Sequence, residues 1–162
     1  MILAIAGAVL WGVVVAGFGA WLTDLTPWYR NLKKPSWQPP DYLFGPAWSV
    51  ILALASWSLY LSWTSAPTDG ARTMVLLLFL WNGAANLLWS PLFFRWRRPD
   101  WALYEVPVLW LSCLVPIILL APISGLASLL LVPYLLWVTF AAYLNLTIVR
   151  LNGPFGRQAQ TT

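Results

Sequence analysis

The chain has 162 residues, 60% of them hydrophobic and 9% charged, against about 45–50% and about 25% in soluble domains, which excludes a water-solvated globule and indicates a membrane protein. Its formal charge of +4 comes from nine basic residues, too few and too confined to the loops between apolar runs to serve nucleic acid. Histidine is absent, which removes the commonest general base and the usual zinc or haem-iron ligand, and the single cysteine, Cys113, excludes an internal disulfide.

About 20 uncharged residues in a helix cross a hydrocarbon core of about 30 Å. The first such run, Ile2 to Leu22, has no Lys or Arg before it, whereas a secretory signal would carry a basic leader and a shorter apolar core; it is read as a transmembrane helix. Small residues recur there at Ala4, Ala8, Gly12, Ala16 and Ala20. This four-residue ridge lets backbones approach in lipid, either inside the bundle or at a dimer face.

Between the first and second spans lies Trp28 to Pro46, WYRNLKKPSWQPPDYLFGP. With Pro27 just before it, the stretch has prolines at 35, 39, 40 and 46, each lacking an N–H and fixing φ, so it is not expected to continue as helix. It also carries Trp28, Tyr29, Trp37, Tyr42 and Phe44. A stiff aromatic loop flanked by two membrane spans is expected at the membrane surface, as a lid over whatever the helices enclose.

The second span, Phe44 to Trp63, places Trp48 near that lid. In the third, Thr73 to Phe94, Asn82, Asn86, Trp89 and Phe93 share one helical face. Two carboxamides in hydrocarbon need hydrogen-bond partners, so this face looks inward, either tying helices together or lining a pocket. Glu105 is the one ionisable residue within a predicted span; it lies about one turn inside the fourth, Trp101 to Ala121, where its carboxyl is expected to reach water or a loop arginine rather than relay protons.

Val106 to Val149 contains no charge, and as a single helix it would be about 66 Å long, twice a bilayer. Proline and glycine in Ala121-Pro122-Ile123-Ser124-Gly125 mark the break, which leaves a fifth span from Leu126 to Val149. Tyr134, Trp137, Ala141 and Asn145 share a face of it, and the small Ala141 leaves room for a ligand or a neighbouring helix. The aromatic stripe is either packing or the wall of a flat apolar cavity with a few amides.

Five spans put Arg30, Lys33, Lys34, Arg95, Arg97, Arg98, Arg150 and Arg157 on one side and only Arg72 on the other. That asymmetry predicts a cytoplasmic C-terminus and an N-terminus outside. The expected fold is an all-α integral membrane protein: a five-transmembrane-helix bundle with a proline- and aromatic-rich lid, one domain over residues 1–156 and a short polar tail at 157–162.

The segments WYRNLKKPSWQPP, GPAW, NLLWSPLFF and VPYLLWVTFAAYLN resemble those of the TspO/MBR family, the tryptophan-rich sensory and translocator proteins, over nearly the whole chain. The resemblance implies a usually dimeric bundle in a lipid bilayer, binding porphyrin as a ligand with no cofactor required. It implies ligand contacts from Tyr29, Trp37, Trp48, Asn86, Phe93, Trp137 and Ala141. It also allows an enzymatic alternative, light- and oxygen-dependent porphyrin breakdown with Trp48 and Trp137 as the reactive pair. A facilitative transporter is the third reading; the lack of a mid-bilayer acid and of an inverted repeat argues against coupled pumping. The family's cholesterol-recognition pattern is broken, since the segment from Leu144 to Arg150 has a leucine, Leu146, where tyrosine is expected and Tyr143 is too far from Arg150. A sterol ligand is therefore doubtful, and a bacterial cell membrane is the expected setting.

Overall fold

The computed structural model describes residues 1–156, so the expected tail at 157–162, Arg157 included, lies outside the described residues. The chain forms α1 (Ile2–Leu22), α2 (Pro27–Asn31), α3 (Phe44–Ser65), α4 (Asp69–Ser90), α5 (Pro99–Leu120), α6 (Gly125–Leu130) and α7 (Val132–Asn152), with no strand among the described residues. Five helical stretches are long and apolar enough to cross a membrane: Ile2–Leu22, Asp41–Ser65, Asp69–Arg95, Pro99–Leu120 and Gly125–Asn152. They agree with the five predicted spans, most of them a turn longer at one end.

Local chemistry sets the boundaries. Thr68 accepts a hydrogen bond from Ala71 N at 3.1 Å and Ser124 one from Ala127 N at 3.2 Å, capping α4 and α6. Pro133 cannot donate a helical hydrogen bond, and the fifth span is accordingly interrupted at Leu131 instead of running unbroken from Leu126. Beyond α4, Pro91–Arg95 forms one wider π-helical turn, closed by Trp96 N donating to Pro91 O at 2.9 Å. That turn buries Leu92, Phe93 and Phe94 together.

The middle of the small-residue ridge faces the bundle, while Ala20 at its end is exposed. Ala8 and Gly12 are buried, and a Cβ on Gly12 would stand 2.2 Å from Ser56 Oγ, so α1 and α3 approach too closely there for a larger residue. Gly83 gives Trp11 similar access from α1 to α4, where its indole Nε1 donates to Phe79 O at 2.9 Å.

Polar groups tie the remaining helices together. Pro116 within α5 leaves the Ser112 carbonyl without its helical donor, and Asn82 Nδ2 approaches that carbonyl at 3.4 Å while donating to Ser112 Oγ at 3.0 Å. Oriented to suit its neighbours, the buried Asn145 amide of α7 donates to Pro99 O at 3.1 Å and accepts from Leu103 N at 3.2 Å, fixing α7 to the first turn of α5.

Two expectations are corrected. The first loop is not wholly non-helical: Pro27 occupies the first turn of α2, where its missing N–H would have no partner anyway, and Asp41–Leu43 forms a 3-10 turn leading into α3. Glu105 reaches neither water nor an arginine. It is 7% exposed and neither carboxyl oxygen has a hydrogen-bond partner among the described residues. The nearby arginines are engaged elsewhere, Arg98 by Asp100 and Arg95 by the Trp21 carbonyl and ring.

Candidate functional site: an aromatic core beneath the first loop

The lid is fastened at three places. The Tyr29 ring is buried against Phe93 and Phe94, with centroids 6.4 and 5.4 Å away, and its hydroxyl donates to Asp41 Oδ1 at 2.8 Å. Gln38 Nε2 donates to the same hydroxyl and carboxylate, both at 3.3 Å. Lys34 Nζ stands 3.8 Å over the Tyr29 ring and 3.8 Å from Asp41. At the far edge Asn152 of α7 holds both sides of Lys33, accepting from its N–H at 2.7 Å and donating to its carbonyl at 2.8 Å. Burial first, and then the Asp41 carboxylate, push the Tyr29 phenol well above the ordinary tyrosine value, so it stays neutral and donates.

Beneath the lid the rings of α3 and α7 meet. Trp48 packs edge-on against Tyr134 at 5.8 Å and Trp137 at 6.3 Å. Trp137 also touches Phe44 at 5.7 Å and Phe140 at 5.4 Å. Trp37 descends from the lid onto the same group, stacked on Tyr143 at 5.2 Å and edge-on to Phe140 at 6.0 Å. Asn86 Nδ2 donates to the Tyr134 hydroxyl at 2.8 Å, which joins α4 to this group.

Phe93 belongs to a neighbouring cluster with Tyr29 and Phe94, stacked on Trp89 at 5.0 Å. Trp89 packs against both clusters. Of the residues singled out in the sequence, Trp37, Trp48 and Trp137 therefore share one aromatic group with Asn86 attached, while Tyr29 and Phe93 form the adjoining one. Ala141 is half-buried, one helical turn beyond Trp137.

The Trp137 indole N–H is buried and has no hydrogen-bond partner among the described residues. Such a donor costs about 1–3 kcal/mol when left unpaired. Sequence reading did not place Phe140, Tyr143 or Asn152 at the site. Phe140, three residues beyond Trp137, repeats the helical spacing and could have been found; Asn152 could not, because its partner Lys33 lies 119 residues away. Among the described residues no group of three His, Cys, Asp or Glu could hold a metal ion. The arrangement offers flat apolar faces and a free N–H.

Five membrane-length helices around an indole-rich core, closed at one end by a folded loop, define a multi-pass helical membrane protein with its aromatic residues gathered beneath that loop. The sequence matches the family described as "TspO/MBR family" over residues 4–151, and the chain belongs to that family. It is 38% identical to "Tryptophan-rich protein TspO" of Chlorobaculum tepidum over 77% of this chain and 79% of that one. It is also 38% identical to "Protein CrtK" of Rhodobacter capsulatus, over 77% and 78% of the two chains. The human "Translocator protein" is 33% identical over 77% of this chain and 75% of its own.

Proposed function

We propose that this chain is a membrane receptor or carrier for tetrapyrroles such as protoporphyrin or haem, binding them among the aromatic residues beneath the lid. The observation that carries the reading is the buried Trp137 N–H, a donor without an acceptor among rings that make only edge and face contacts with one another. A flat macrocycle replaces those ring–ring contacts with contacts of the same kind, and an acceptor on its rim satisfies the indole. Its acidic edge is drawn to Arg30 and Lys33, both exposed, while Lys34 is occupied by Asp41. On this reading the lid faces the cytoplasm of a bacterial cell.

Titration of protoporphyrin into the purified protein, followed by its absorption band, tests the site. Trp37→Ala and Ala141→Phe are each expected to weaken binding, one by removing a face and the other by setting a bulky ring one helical turn beyond Trp137. Affinities equal to the parent's in both variants would remove the aromatic core from the account.

A second reading, photo-oxidative breakdown of the bound porphyrin, draws support from the Trp48–Trp137 contact at 6.3 Å. Under light and oxygen, loss of porphyrin absorption should then depend on both indoles. Bleaching as fast in Trp48→Phe and Trp137→Phe as in the parent would leave binding alone.

A further inference from the structure

At the end of the bundle opposite the lid, the N-terminal ends of α1 and α4 and the C-terminal end of α3 border an open hollow of about 650 Å³. Its polar edge is the Arg72–Asp69 pair, 2.8 Å from Nη1 to Oδ1, with the carboxylate 97% exposed; Tyr60 and Trp63 form its aromatic wall. Tyr60 also lines a second hollow of about 390 Å³ that follows the seam between α1 and α3. Small residues line it, Ala8, Gly12 and Ala16 from α1 and Ala53 and Ser56 from α3; at Gly12 and Ser56 the two helices touch, so the space is a groove along the outer side of the seam.

The dimensions fit one leaflet. From Ile5 to Ala16 the groove runs about 16 Å at the helical rise, close to half of a hydrocarbon core of about 30 Å. Its upper end opens beside charged and aromatic groups at the ends of three spans, where a bilayer places its headgroups.

We propose that the two hollows together hold a single phospholipid with a zwitterionic, primary-amine headgroup. The phosphate meets Arg72, and the ammonium meets Asp69 and the face of Tyr60 or Trp63. One acyl chain lies in the seam. The adjacent opposite charges choose the headgroup, because an anionic lipid without an ammonium would set its phosphate beside an uncompensated Asp69 carboxylate.

Native mass spectrometry of the protein released from bilayers of equal phosphatidylethanolamine and phosphatidylglycerol provides the test. One phosphatidylethanolamine per chain is expected to be retained. Ala53→Phe, which fills the seam from an exposed position, and Arg72→Gln should each reduce the retained fraction about tenfold. Protoporphyrin affinity should stay unchanged in both, so this site and the one beneath the lid succeed or fail separately. Equal retention by parent and variants, or a preference for phosphatidylglycerol, would overturn the assignment. So would efficient cross-linking between copies through Val13→Cys, which would give the seam to a second chain.

Discussion

Trp137 sits where its ring is well served and its N–H is not. Replacing it with phenylalanine keeps an aromatic face and removes the unpaired donor, so Trp137→Phe is expected to leave the unliganded protein at least as stable while weakening protoporphyrin binding about tenfold, or about 1.4 kcal/mol. Thermal melting and an absorption titration check the two halves; unchanged affinity would mean that no guest uses the donor. Glu105 poses a related question with the same expectation for stability. A buried acid with a hidden partner loses about 3–5 kcal/mol when that pair is broken, whereas one without a partner loses nothing on neutralisation. Glu105→Gln should therefore melt at or above the parent temperature, and a clear fall would reveal a partner. The residue types at both positions were plain in the sequence. Their satisfaction was not, because hydrogen-bond partners across a bundle depend on helix rotation and on where Arg95 and Arg98 are already committed.

Among the elements, the lid is held by side chains more than by its prolines. The docked loop favours neutral Tyr29, whose phenol is raised by burial and then by Asp41. That contribution to docking is complete below the ordinary tyrosine value of about 10 and is lost as pH rises through the higher docked value. A spin label on Ser36→Cys should thus become more mobile only well above pH 10, and Asn152→Ala should loosen it about tenfold at neutral pH by removing two hydrogen bonds of about 1 kcal/mol or less each. An immobile label in Asn152→Ala would show that the clamp is dispensable. Membrane-length helices were legible from hydropathy alone. The turn of α2 was not, since a proline at the first helical position reads as a breaker when considered singly, and the π-helical turn after Ser90 leaves no signal in an apolar run.

At the scale of the molecule, seven of the eight described basic residues stand at the lid end and Arg72 stands alone at the other. With native Cys113 buried, an impermeant thiol reagent should label Ser36→Cys from the cytoplasmic side and Pro67→Cys from the opposite side. The reverse pattern would invert the topology. The spans and the inward amide faces could be anticipated, because burial of polar groups and the helical repeat are properties of sequence, whereas the grouping of Trp37 with Trp48 and Trp137 was implied by the family resemblance and not by periodicity. The division of the aromatics into two adjoining clusters could not, because it follows from how α4, α5 and α7 are rotated against one another. Since Asn152 grips the N–H and the carbonyl of the same residue, Lys33, the chain as far as that residue behaves as a fixed jamb. Any doorway for a guest then swings between Lys34 and Pro40, latched by Gln38 on the Tyr29–Asp41 pair, and α1 need not shift for it to open.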